Sequence, residues 1–139
     1  MRYYLDTNIL IFVLLEKMHN QLCLEVERII DNYSNRFYVS SVVVRELIHA
    51  CKTGGIRDIP PKLVKELFDA MDESDIEIVP MNKHHLKQYA ALETATGHKD
   101  PNDHIIIAQA MSDKIPIISS DSMFKEYTKQ GLEFVFNRR

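Results

Sequence analysis

Five short apolar runs, separated by stretches with helical spacing, constrain this chain more than any other feature. They are Arg2 to Leu5, Phe37 to Val39, Ile76 to Val79, Ile115 to Ser119 and Glu133 to Phe136. Strands this short, apolar on both faces and alternating with helices, predict a parallel sheet buried between helical layers. The expected fold is therefore α/β, a three-layer α/β/α sandwich around a central five-stranded parallel sheet, with residues 1–139 as one domain.

The intervening helices have readable ends. Asp6-Thr7-Asn8 are capping types, and the apolar Ile9 to Leu15 follows as a buried helix. Gln21 to Asn32 places Leu22, Val26, Ile29 and Ile30 at helical spacing. Ser40 or Ser41 caps a helix to about Lys52, which Thr53-Gly54-Gly55 ends. Pro61 starts another, with Leu63, Leu67, Phe68 and Met71 as its apolar face. A further helix runs through Leu86, Tyr89, Ala90 and Leu92 before Gly97 breaks the chain. Asp100-Pro101-Asn102-Asp103 then opens a helix from Ile105 to Met111, and Met123 to Lys129 forms a short one.

Composition excludes several classes. With 139 residues, 45% of them hydrophobic, the chain has material for a real core. Ile9 to Leu15, the longest apolar run, falls well short of the roughly 20 residues of a membrane span. Asp6 and the lack of a basic leader argue against a signal peptide. Cys23 and Cys51 make no disulfide framework and read as reduced thiols, so a cytoplasmic setting is expected. A net charge of −3 argues against a nonspecific nucleic-acid coat, which is strongly basic.

Right-handed crossovers bring the C-terminal ends of parallel strands to one edge, where open α/β sheets bind ligands. Asp6 follows the first run and Asp121 the fourth; Glu46 lies in the helix after the second. Asp103 and Asp100 open the helix leading to the fourth. Each has a plain structural alternative. Asp6, Asp100 and Asp121 suit helix caps, Asp103 suits a first helical turn, and Glu46 a solvated face. Together, however, carboxylates at one edge would raise one another's pKa, and a hard divalent cation removes that cost. An oxygen-only donor set selects Mg²⁺ or Mn²⁺ over zinc, which points to phosphodiester hydrolysis. Setting aside these five carboxylates leaves 15 acidic residues against 17 basic ones, so the remaining surface tolerates RNA. Arg45, Lys52 and Lys99 are the cations nearest in sequence. His19, His49, His84, His85 and His98 show no metal-ligand spacing.

Four ordered segments carry a resemblance. Asp6-Thr7-Asn8, Arg45-Glu46-Leu47, the run from Asp100 through Asp103-His104 to Ala110, and Ser119-Ser120-Asp121 resemble the PIN-domain nucleases. The VapC-type toxins of toxin–antitoxin pairs are the nearest in pattern, and the likeness covers essentially the whole chain. The resemblance implies a PIN-like fold and an acidic site on Asp6, Glu46, Asp103 and Asp121, with Thr7 or Asn8 and Ser119 in support, and Asp100, just before Asp103, is a further supporting candidate. It also implies a Mg²⁺- or Mn²⁺-dependent endoribonuclease leaving a 5′-phosphate, a homodimer, and an inhibitory antitoxin. Where related toxins often have a basic residue after the third Asp, this chain has His104; where they often have Thr, it has Ser119. Phe12 and Leu15 are candidates for a dimer or antitoxin groove.

Three rivals remain. A phosphoacceptor or phosphatase using Asp6 as nucleophile wants a second Asp where Asn8 stands. A PIN nuclease of RNA maturation would share the site and differ in substrate and partner. A non-catalytic interaction module would keep the aspartates only as caps.

Overall fold

The structure is a computed structural model and describes residues 1–54 and 61–138, with the side chains of residues 61–64 excepted. The chain alternates as expected. β1 (Arg2–Leu5) leads to α1 (Thr7–Leu14), a 3-10 segment (Glu16–Gln21) and α2 (Leu24–Asp31). β2 (Arg36–Ser40) is followed by α3 (Ser41–Thr53) and α4 (Pro61–Glu73), and β3 (Ile76–Val79) by α5 (Lys83–Ala91) and α6 (Pro101–Asp113). β4 (Ile117–Ser119), a second 3-10 segment (Ser122–Gln130) and β5 (Phe134–Phe136) complete it.

All strand pairs are parallel, in the order β3-β2-β1-β4-β5. The chain builds outward from β1 through β2 to β3, then returns past β1 to add β4 and β5. Right-handed crossovers in these opposite directions place helices on both faces. The order reverses between β1 and β4, which makes their C-terminal ends the switch point of the sheet. The core is continuous across it, with Leu5, Ile9, Leu10, Val39, Leu47, Ile107, Ile117 and Ile118 nearly or fully removed from solvent.

Several local expectations change. The helix expected from Gln21 to Asn32 is broken before Leu24. Asn137 accepts from the Cys23 N–H at 2.7 Å and donates to the Gln21 carbonyl at 3.0 Å, so side-chain bonds replace the helical ladder there. β4 begins at Ile117 rather than Ile115; Pro116 has no N–H for a ladder, although its carbonyl accepts from Tyr4 N–H at 2.8 Å.

Phe12 is buried in the core, not displayed on a groove, and Leu15 is half-buried. On α5, Leu86 and Ala90 face solvent. His85 takes the buried position, because its Nε2 reaches Asp113 at 2.9 Å while Nδ1 accepts from Asn82 N–H at 3.0 Å. On α4, Leu67 and Met71 are buried but Phe68 is exposed. Gly54 ends α3 in the left-handed region (φ 71°), where glycine carries no Cβ penalty. Gly55 and the Leu63 side chain lie outside the described residues. Cys23 and Cys51 are unpaired. Among the described residues, no helix is long and apolar enough to cross a membrane.

Candidate metal centre

β1 ends by delivering Asp6 to the switch point. Its N–H donates to the Ile118 carbonyl on β4 at 3.0 Å, which fixes the backbone across the strand pair. Its buried carboxylate then has two donors. Thr7 N–H reaches Oδ1 at 2.8 Å, and the Ser119 hydroxyl reaches Oδ2 at 2.6 Å. Ser119 Oγ in turn accepts from Asp121 N–H at 3.0 Å. One serine therefore ties the first expected carboxylate to the backbone of the last. Asp121 Oδ1 caps the following 3-10 segment through Met123 N–H at 2.9 Å.

The other carboxylates come from the helices. Ser40 caps α3, whose buried Val43, Val44 and Leu47 turn Glu46, half-buried, toward the same edge. Asp100 caps α6 through Asn102 N–H at 3.0 Å, and Pro101 occupies the first turn. Asp103 stands one turn into that helix. Asp6, Asp100 and Asp121 are thus all caps, as the plain structural alternative holds. Glu46 and Asp103 cap nothing.

The charges act on one another. Burial, followed by the negative charges of Asp100, Asp103 and Asp6, raises the Glu46 pKa to about 7, with Arg45 opposing. Burial, then Asp6, Asp100 and Asp121, raises Asp103 to about 7. Burial also pushes Asp6 upward, against its two hydrogen bonds and with the charges of Asp121 and Asp100. Glu46 Oε1 is buried without a hydrogen-bond partner among the described residues, as is Thr7 Oγ1. An orphaned carboxylate oxygen facing other carboxylates is costly unless a cation meets it. Carboxylate oxygens are the donor type a hard divalent ion takes, and the charges of Asp6 and Glu46 act on those of Asp103 and Asp121 in this cluster.

Asn8 is exposed, and no hydrogen bond joins it to this cluster among the described residues. Arg45, Lys52 and Lys99 are exposed as well. His104 is buried, and its Nε2 donates to the His98 carbonyl at 2.9 Å, so it braces a loop rather than presenting a cation to solvent.

Sequence spacing gives His98 no metal-ligand pattern, yet the structure places its ring against the cluster. His98 is buried with Nε2 at 3.2 Å from Asp103 Oδ2 and 3.9 Å from Asp121 Oδ2. One donor atom each from His98, Asp103 and Asp121 lies within 4.8 Å of the others. The approach arises because the chain turns at Gly97 (φ 85°), laying residue 98 back over the first turn of α6. A five-residue separation across a turn carries no periodic signal. Tyr127, whose hydroxyl lies 2.7 Å from His98 Nδ1, comes from the segment expected as the short helix Met123 to Lys129.

Between the second 3-10 segment and β5, a cleft of about 460 Å³ is lined by Ser122, Lys125, Thr128, Phe134, Phe136 and Arg138. Phe136 pairs in register with Ser119, and Ser122 follows Asp121 in the chain. A larger cleft, about 960 Å³, lies at the opposite edge and carries Asp72, Glu73, Asp75 and Glu77. That acidic lining would repel phosphate.

A parallel α/β sheet with a carboxylate cluster at its switch point defines a class of α/β domain with an acidic site at that edge. More specifically, the chain belongs to the PIN domain family, which it matches over residues 3–130. No curated protein sequence matches it. Solved structures share its fold. A chain from the DNA-bound VapBC of Salmonella typhimurium superposes with a TM-score of 0.70 at 19% identity, over 98% of each chain. VapBC2 from Rickettsia felis, bound to a DNA fragment from its promoter, gives 0.68 at 20%, over 99% of this chain and 100% of that one. VapBC-5 from Mycobacterium tuberculosis, of the VapBC family of toxin–antitoxin systems, gives 0.59 at 18%, over 99% and 98%.

Proposed function

We propose that this protein is a metal-dependent endoribonuclease and the toxin of a toxin–antitoxin pair. The observation that supports the reading is the approach of Asp103 and Asp121 donor atoms within 4.8 Å, together with the like charge that Asp6, Glu46 and Asp103 exert on one another. Capping accounts for Asp6, Asp100 and Asp121, and a first-turn position for Asp103, but the buried, unpartnered Oε1 of Glu46 has no structural purpose, which disfavours the non-catalytic module. Membership of the PIN domain family supports a nuclease, and the VapBC structures that share the fold support an antitoxin partner.

In this reading Asp6, Glu46, Asp103 and Asp121 hold Mg²⁺ or Mn²⁺. Such a cation, when bound, polarises a phosphoryl oxygen and makes water a better nucleophile at neutral pH. The chain's own groups set the geometry. Ser119 and Thr7 N–H hold both oxygens of Asp6, and Asp100 adds negative charge at the rim. The cleft beside Asp121 suits a single-stranded RNA, with Lys125 and Arg138 for phosphates and Phe134 and Phe136 for bases. The protein acts as a homodimer in the cytoplasm, and its antitoxin silences it.

Induced expression in a bacterial host, wild type beside Asp6→Asn, tests this reading. Growth arrest with discrete new RNA 5′ ends for the wild type alone is the expected result. Soluble wild type that neither slows growth nor creates new ends would overturn the toxin assignment.

A further inference from the structure

We propose that His98 and Tyr127 form a positioning relay that aims Asp103 at the metal, with His98 acting as a hydrogen-bond donor and not as a ligand. The proposal rests on the reading that Asp103 holds a cation. Its own support is the way the hydrogen bonds determine where the imidazole proton sits.

Tyr127 is fully buried, and its hydroxyl oxygen accepts from Ala95 N–H at 3.0 Å. The phenolic proton then needs an acceptor, and among the described residues His98 Nδ1, at 2.7 Å, provides it. A nitrogen that accepts carries no proton, so the neutral ring bears its proton on Nε2. That N–H faces Asp103 Oδ2 at 3.2 Å. The opposite tautomer would aim a lone pair at a carboxylate and leave a buried hydroxyl proton unpaired.

The ring is also held from its backbone. His98 N–H donates to the Ala95 carbonyl at 3.0 Å, and the His98 carbonyl accepts from His104 Nε2 at 2.9 Å. His98 packs edge-on against His104 and Tyr127, with centroids 4.6 Å and 5.4 Å away. Asp103 has no other side-chain hydrogen bond among the described residues. With Oδ2 engaged by His98, its Oδ1 is free for a cation. Partners that orient a ligating group typically contribute 10–100-fold to metal affinity.

The test is a Mn²⁺ titration followed by electron paramagnetic resonance, on folded protein confirmed by circular dichroism. Wild type is compared with Tyr127→Phe, His98→Gln and His98→Leu. Gln places an amide N–H near the position of Nε2 and should keep affinity within about 3-fold. Leu and the Tyr127→Phe variant should weaken Mn²⁺ by about 10-fold or more. Nitrogen NMR of ¹⁵N-histidine-labelled wild type should show the His98 proton on Nε2, without and with Mg²⁺.

Equal Mn²⁺ affinity in wild type and all folded variants would overturn the relay while leaving the metal reading intact. A Nε2 that loses its proton on Mg²⁺ addition, with His98→Gln as weak as His98→Leu, would make His98 a ligand and also overturn it. Wild type that binds no Mn²⁺ would remove the metal reading, and the relay with it.

Discussion

Ser119 on β4 donates its hydroxyl to Asp6 at the end of β1, at 2.6 Å, across the point where the strand order reverses. The bond joins residues far apart in sequence and holds a buried carboxylate at the centre of the acidic cluster. The same oxygen accepts from Asp121 N–H. Removing it releases two of the four carboxylates expected to hold the cation.

Ser119→Ala should therefore weaken Mn²⁺ binding by about 10- to 100-fold, as for other partners that orient a ligand. It should also cost about 1–3 kcal/mol of stability, because Asp6 Oδ2 stays buried without its donor. Ser119→Thr, which keeps the hydroxyl, should recover most of the affinity. Metal titration together with chemical denaturation checks both parts.

The pH dependence of the metal-free protein follows from Glu46 and Asp103. Both sit at about 7 in the folded protein, above their ordinary values of 4.5 and 3.8. Between those limits the folded state holds protons that the unfolded chain releases, so raising the pH favours unfolding. Melting temperature without metal should fall as pH rises from about 5 to 8. Asp103→Asn should flatten that slope and at pH 8 stabilise the metal-free protein by on the order of 1 kcal/mol. Calorimetry across the range reads both effects. Mn²⁺ should stabilise wild type far more at pH 8 than at pH 5.5, since the ligands must lose their protons.

The cleft beside Asp121 gives a separable prediction. Lys125→Ala with Arg138→Ala should weaken binding of single-stranded RNA and reduce its salt dependence, by about 0.7 in log–log slope for each phosphate no longer neutralised. Phe136→Ala should weaken binding by roughly 1–3 kcal/mol if a base stacks there. Neither change should alter the stabilisation by Mn²⁺. Fluorescence anisotropy with a catalytically silent Asp6→Asn background measures this without cleavage.

A second buried network offers a contrast. Asp113 joins His85 on α5 to Tyr4 on β1, with His85 Nε2 at 2.9 Å and the Tyr4 hydroxyl donating at 2.5 Å. Burial and the Asp113 carboxylate raise the Tyr4 pKa above its usual value. Asp113→Ala should destabilise the protein by about 2 kcal/mol through unpaired buried groups. Metal affinity of the folded fraction should not change. Thermal melts with and without Mn²⁺ distinguish this purely structural loss from damage to the cluster.

The parts legible in sequence are those governed by local pattern. Strand periodicity and capping residues place Asp6, Asp103 and Asp121 at one edge, and the spacing of Val43 and Leu47 places Glu46 toward it. Tertiary hydrogen bonds account for what is not legible. Asn137 interrupts the helix expected from residue 21, though it lies over a hundred residues away. His85 displaces Leu86 from the buried face because Asp113 satisfies its ring. His98 reaches Asp103 only because Gly97 turns the chain, and Tyr127, 29 residues further on, meets its Nδ1 at 2.7 Å. Phe12 reads as available for a partner because periodicity cannot say which side of an all-apolar helix is covered.

The most direct measurement is cleavage of a single-stranded RNA by purified protein, wild type beside Asp103→Asn, with Mn²⁺ and with chelator. A metal-dependent site predicts wild-type fragments bearing 5′-phosphates, formed only with the cation and reduced at least 100-fold by the substitution. Equal cleavage by the variant, or cleavage that survives chelation, would contradict such a site at Asp6, Glu46, Asp103 and Asp121.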